Sequence, residues 1–477
     1  MDPLNRREWL THWGMQGLAA TALLDLWKTD GLAKELTDPA NSHQTSLIPK
    51  AKRAIHISLV GGMSHLDSFD YKPELVARHG QNLVTNEKPD IFFGQVGQFR
   101  RPDWKFARRG QSGLYVSDLF PHIARQADLL TVVKSMVTES ANHTPALFFA
   151  NSGFQFNGFP SLGSWLSFGL GNESDELPTF VVLPDNRGGP NGGAANWSAG
   201  FLPAENQGVG FQGSAEPVKD LFSPDPQGRL ADSNVRDFLE KINRRHAASH
   251  ADEPILQARM RSYAIAGKMQ LSVPEVGNIQ GESEETKELY GLNDPHCSEF
   301  GRRCLLARRL SERGVRYIQL FSGGPIAGSP RTSWDAHESV MENHSSEALK
   351  IDKPIAALLH DCQRRGLLDD TVILFTTEFG RTPFAQSEAS RVGTGRDHNR
   401  YGFSVWMAGA GLKPGTSYGN TDEIGWKAAE KPATWHDFHA TVLRLFGIDH
   451  EKLTYYHNGI QRRLTNVHGT VMKEILA

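Results

Sequence analysis

The chain has 477 residues, enough at roughly 100–200 residues per domain for two or three domains or for one large α/β unit. Lys and Arg (51) against Asp and Glu (54) leave a formal charge of −3, with 39% hydrophobic and 22% charged residues. Those figures exclude a disordered chain and a polytopic membrane protein, and they argue against nucleic acid as a partner, which would draw a basic surface. Cys297, Cys304 and Cys362 are too few for a disulfide scaffold and leave only a Cys297–Cys304 bridge open.

The first residues read as an address. Arg6-Arg7 precede Trp9-Leu10 and a short apolar run over residues 13–24, the pattern of a twin-arginine export signal. That run is shorter than the about 20 residues needed to span a bilayer. Asp25 closes it early, so an ordinary amphipathic helix competes with this reading. Residues 1–49 are therefore expected to be signal and linker, and the location periplasmic or secreted. No later segment is apolar enough to be an integral membrane span.

From there short apolar runs alternate with helical patterns. Residues 54–60 (AIHISLV) read as a buried strand ending in Gly61-Gly62. Residues 117–127 read as a helix, and 129–133 and 179–183 as strands. The Gly-, Asn- and Pro-rich stretch 185–213 reads as a long loop, and 235–271 as helical. A helix at 304–313 leads to a strand at 315–321, and a helix at 343–365 leads to the strand 371–375 (TVILF). A strand at 403–408 and a helix at 434–446 follow. This alternation predicts an α/β fold with a large, mainly parallel sheet flanked by helices over residues 50–464. A helical insertion at 215–300 and a tail at 465–477 complete the expected organisation.

In open α/β sheets ligands gather beyond the carboxyl ends of the strands. The loops there carry His65 and Asp67; His143 and Thr144; Asp335, His337 and His344; Glu378 and Arg381; and His398, just before the 403–408 strand. Each alone is weak, since a strand-end His or Asp is often a cap. Together they point to a divalent-metal or acid–base centre, because His and carboxylate are ligands for borderline and hard ions. Asp335 and His337 can reach one ion only in an extended or turn conformation, because residues i and i+2 diverge on a helix. An N-cap for the following helix is the competing reading of Asp335. A salt bridge to Glu378 competes with oxyanion binding for Arg381, and capping is the first reading of His436 and His439.

At these loops the chain resembles the bacterial domain-of-unknown-function family 1501, which is sulfatase-like and belongs to the alkaline phosphatase superfamily. The matching pieces are GGMSHLDSFDYKPEL, NHTPALFFANSG, FPSLGSWLSFGLG, SWDAHES, TVILFTTEFGRTP, GRDHNRYGFSVWMAGAGLKPG, YGNTDEIG and the tail from WHDFHATVLRLFG. The resemblance implies an alkaline phosphatase/sulfatase-like fold. It places Gly61 where a first metal Asp would stand, and His143, with Thr144 beside it, at the nucleophile. It places Glu378 at a ligand Asp and Phe379 at a ligand His or Asn. Phe379 cannot bind a metal, and C-x-P-S-R, the formylglycine signal, is absent.

Two functional readings follow. In the first, the protein is a metal-dependent hydrolase of a phosphate or sulfate ester on a small molecule or glycan. Asp335, His337 and His398 then hold one ion (zinc, manganese or calcium), with His65, Asp67 and Glu378 completing a second site or orienting water. Thr144 is the nucleophile, His143 its base, and Arg381 steadies the transferred group. In the second, the same scaffold is a non-catalytic exported binding or structural protein. Neither reading sets the oligomeric state.

Overall fold

A computed structural model describes residues 47–85, 89–213, 272–326 and 331–477, with scattered positions between 217 and 269. The expected export signal lies outside the described residues, as does about half of the expected insertion at 215–300.

Eight strands form the main sheet: β1 Arg53–Leu59, β2 Leu130–Met136, β3 Phe180–Leu183, β4 Val209–Gly210, β5 Tyr317–Ser322, β6 Thr371–Thr377, β7 Phe403–Gly409 and β8 Thr416–Tyr418. Their spatial order is β8-β2-β7-β6-β1-β5-β3-β4. β1 lies parallel between β5 and β6, with Ile55 opposite both Ile318 and Ile373. β7 is the reversed strand, antiparallel to β2 and β6. After β6 the chain doubles back through a hairpin, Gly380–Ala385 against Arg396–Asn399, and re-enters the sheet from the edge it has just left. Parallel pairing needs a crossover, so without one the next strand runs the other way.

Helices α1 His143–Ser152, α2 Leu162–Leu170, α3 Ser298–Glu312, α4 Val340–Arg364 and α5 Trp435–Leu445 cover the sheet. Alternate side chains of each strand point to opposite faces. Ile55, Ile57, Leu59, Ile373 and Phe375 join Leu305 of α3 and Ile351 and Ile355 of α4 in one apolar layer. Ala54, Val60, Val372 and Leu374 join Leu147, Trp165 and Phe438 of α1, α2 and α5 in the other. Burial on both faces is why β1 and β6 read as continuous apolar runs rather than alternating ones.

Some expected elements change form. Pro121 interrupts the helix expected at 117–127, and only a 3-10 turn, Ile123–Leu129, survives. Asp352 of α4 accepts hydrogen bonds from the His122 and Ile123 amides at its start, both at 2.8 Å. The loop at 185–213 holds two 3-10 turns and the edge strand β4. α4 begins at Val340 because the Ser339 hydroxyl accepts from the Glu342 amide, so Ser339 and not Asp335 is its N-cap. His436 and His439 are not caps of α5, which uses a Thr434–Asp437 capping box; their Nε2 atoms bond the carbonyls of Gly153 and Ala150 near the end of α1. The three cysteines are free and buried. The expected tail packs on the same body, with Met472 and Ile475 buried and Leu476 bridged to Leu412. Among the described residues no helix is long and apolar enough to cross a membrane.

Phe375 is fully buried in β6 and stacks on Trp406 of β7 at 4.7 Å between centroids. Phe375→Ala should cost about 3–5 kcal/mol of stability in a denaturant titration. A loss below about 1 kcal/mol would show that the residue lies outside the packed core.

Candidate metal centre

Four side chains meet beyond the strand ends. Asp335 and His337 come from the non-helical stretch after β5, which lets an Asp-x-His pair converge. His398 comes from the Arg396–Asn399 strand of the hairpin, and His143 is the first residue of α1, after β2. One donor atom of each lies within 4.8 Å of all the others. His337 Nε2 is 2.7 Å from Asp335 Oδ1 and 2.9 Å from His398 Nε2. His398 Nε2 and His143 Nε2 lie 3.3 and 3.4 Å from the same Asp335 oxygen. Four donors in a tetrahedron around a zinc-sized ion are separated by roughly 3.3 Å, so these spacings suit one ion.

The far nitrogen of each ring fixes its tautomer. His398 Nδ1 bonds the Ala141 carbonyl at 2.6 Å, and His143 Nδ1 bonds Glu378 Oε1 at 2.7 Å. His337 Nδ1 bonds Gln386 Oε1. All three partners are oxygens that only accept, so each Nδ1 carries the proton and each Nε2 turns a lone pair inward. His143 Nε2 is buried and makes no hydrogen bond. This is the arrangement that orients metal-ligating histidines. The residues therefore fit a divalent ion.

The carboxylate is also anchored. Asp335, 2% exposed, takes a 2.8 Å bond from Arg381 Nη2 on Oδ1 and a bond from Arg331 on Oδ2. Burial works against its charge, but the Arg381 guanidinium, the foremost of its partners, outweighs it and helps hold the carboxyl far below the usual range. Burial presses His143 down too, yet the nearby carboxylates Asp335 and Glu378 prevail and raise it. His398 is driven well below the ordinary histidine value, foremost by burial, with Arg381 and the neighbouring rings adding to it.

Other candidate residues take different places. Glu378 stands one layer out; its Oε1 also accepts the Gly61 amide at 2.8 Å. Arg381 is fully buried and donates to the carbonyls of Gly61, Gly62, Trp334 and Arg396 as well as to Asp335. It is held on Asp335 and on these four carbonyls. It is Asp335, and not the expected Glu378, that pairs with it. Thr144 is half-buried on the first turn of α1, and both ring nitrogens of His143 face carboxylates rather than its hydroxyl.

His65 and Asp67 do not join the four. His65 Nε2 bonds the Gly425 carbonyl. Asp67 accepts from Ser64 Oγ at 2.6 Å, Arg396 Nε at 2.9 Å and the Asp103 amide at 3.0 Å. His344 is also structural, accepting the Ser64 amide at Nε2. Phe379 is packed against His143 and His398, with ring centroids 4.8 and 4.5 Å away.

Sequence reasoning missed Gln386, Arg331, Phe92 and Phe93. Phe92 lies 4.9 Å from the His398 ring, and Phe93 4.9 Å from the His337 ring. Gln386 and the two phenylalanines sit in loops with no periodicity to mark them. Arg331 carried a faint signal, four residues before Asp335.

Burial opposes the Asp67 charge, but Arg396, Arg100 and the hydrogen bonds bring its pKa down to about 2. A depressed carboxyl stabilises above its unfolded pKa, and that contribution is lost as pH falls through the folded value. The stability gap between wild type and Asp67→Asn should therefore hold above about pH 5 and shrink by about 2 kcal/mol towards pH 2. A gap independent of pH in denaturant titrations would refute the assignment.

The fold and this geometry can be set beside known proteins. Among solved structures, the lipoteichoic acid synthase LtaP from Listeria monocytogenes aligns at TM-score 0.32 and 11% identity, over 90% of this chain and 80% of its own. The PsFucS1 sulfatase from Pseudoalteromonas sp. aligns at 0.35 and 12%, over 91% and 76%. The alkaline phosphatase from the Antarctic bacterium TAB5 aligns at 0.30 and 10%, over 79% and 96%. No curated protein matches the chain. The family model described as "Protein of unknown function (DUF1501)" matches residues 51–476, and the chain belongs to that family.

Proposed function

We propose that the protein is an exported, metal-dependent hydrolase of phosphate or sulfate esters. The observation that supports this reading above all is the three inward Nε2 lone pairs around Asp335 Oδ1, each held by an acceptor on the opposite ring nitrogen. His143, Asp335, His337 and His398 hold the ion. Three imidazoles favour a borderline ion such as zinc or manganese over calcium, which takes oxygen ligands. When bound, the ion supplies Lewis-acid stabilisation of charge on a phosphoryl or sulfuryl group. Glu378 and Gln386 orient His143 and His337. Arg381 and Arg331 hold Asp335 in place and draw off part of its charge. Thr144, beside His143, supplies the hydroxyl that attacks the ester. Phe92 and Phe93 shield the rings from bulk water.

Elemental analysis of untagged protein should find about one divalent ion per chain, as one four-donor site requires. His337→Ala and His398→Ala should each lose it with the far-UV spectrum unchanged, and Thr144→Val should keep the ion but lose hydrolysis of 4-nitrophenyl esters. Full metal content in both histidine variants would refute the site. Bound ion with no ester hydrolysed by the wild type would leave the non-catalytic reading in its place.

Export rests on Arg6-Arg7 before Trp9-Leu10. Replacing both arginines with Lys should retain the protein in the cytoplasm. An unchanged distribution after cell fractionation would exclude the twin-arginine route.

A further inference from the structure

We infer that residues 90–95 form a strap that gates the histidine cluster: closed in this structure, latched beside His398, and lifted whenever a ligand reaches the four donors. The inference goes beyond the hydrolase reading, because it holds for whatever ligand the cluster takes.

The donors are covered. Asp335, His143 and His398 are 2%, 7% and 4% exposed. Two depressions, of about 350 and 310 Å³, open beside the cluster, one bordered by His337 and the other by His398. They share no lining residue, and among the described residues neither is lined by Asp335 or His143. Gln95 lines the first and Asp90, Ile91 and Phe92 line the second, so the strap is a wall between them. Phe92 and Phe93 lie over His398 and His337, each at 4.9 Å between centroids. A ligand that meets all four donors therefore displaces part of this cover, and lifting the strap joins the two depressions over the cluster.

The strap is the part of the cover held least. Phe379, which also packs on His143 and His398, is fully buried. The hairpin that carries His398 is paired along its backbone, and α1 is fastened by Leu147 and Phe149 in the core. Phe92 and Phe93, by contrast, stay 44% and 55% exposed, so closure buries only part of each ring. Two latches hold them down. The Phe93 amide donates to Asp397 Oδ2 at 2.7 Å, while the other oxygen of Asp397 accepts the His398 amide at 2.7 Å. Asp90 accepts from Arg400 Nη2 at 2.6 Å and from the Tyr401 hydroxyl. This second latch is an exposed ion pair, which shifts an equilibrium by a factor of about five at most. Asp397, Arg400 and Tyr401 all neighbour His398 in sequence, so the strap is tied to the stretch of chain that supplies a ligand. Gly94 follows the two rings with φ +76° and open space where a Cβ would stand. A left-handed position costs glycine nothing, and it serves as the pivot.

The test uses the full protein grown in metal-depleted medium, treated with diethyl pyrocarbonate and read residue by residue by mass spectrometry. The reagent acylates an unprotonated ring nitrogen, here the inward Nε2 of His337 and of His398. Asp90→Ala removes one latch, and Gly94→Ala disfavours the closed pivot without a clash; neither alters a ring over the cluster. Each should raise the modification rate at His337 and His398 by about twofold to fivefold. The exposed His296 and the core residue His56 should keep their wild-type rates. Unchanged rates at His337 and His398 in either variant would overturn the strap. So would a parallel rise at His56, which would mark a general loosening of the fold. None of these results bears on the hydrolase reading, which turns on bound ion and ester turnover.

Discussion

A carboxylate that is 2% exposed needs partners for both oxygens, and the site is organised by how Asp335 finds them. Arg381 comes from beneath, within the hairpin that follows β6. Arg331 comes from the stretch just ahead of Asp335 itself. The three imidazoles close in from α1, the β5 loop and the hairpin. Two arginines on one carboxylate leave it firmly ionised, and an ionised, immobile oxygen is what a metal ligand has to be.

Close approach of the chain to itself sets a second constraint. Gly61 has φ +120°, and a Cβ there would lie 2.5 Å from the Asp335 amide nitrogen. A Cβ on Gly62 would lie 2.5 Å from the Phe379 ring. The turn after β1 thus has no room for a side chain, let alone a liganding one, because the backbone of 334–335 and the Phe379 ring fill that space. The resemblance placed a metal Asp at Gly61 and a second ligand at Phe379. In this chain Gly61 admits the backbone that carries Asp335, and Gly62 admits the Phe379 ring.

The fold was legible because burial on both faces writes itself as apolar runs, and 371–375 and 54–60 are such runs. The helix expected at 117–127 failed on Pro121, which removes a backbone donor in the middle of that span. The convergence of Asp335, His337 and His398 could be read because strands of a parallel sheet deliver their loops to one edge. The distinction between His143 and His65 could not be read. Both follow strands and both have carboxylates nearby in sequence, and only tertiary contact with Glu378 or with the Gly425 carbonyl separates them. Gln386 and the phenylalanines act through partners far along the chain, which local patterns do not encode.

The four candidate ligands come from three regions of chain: residue 143, the pair 335 and 337, and residue 398. Each region is held by a different part of the sheet, so no partial fold presents more than a fraction of the donors. Ion retention then becomes a count of native molecules. Release of the ion and loss of tertiary structure should trace one curve, because chelation here is a property of the whole topology rather than of any segment.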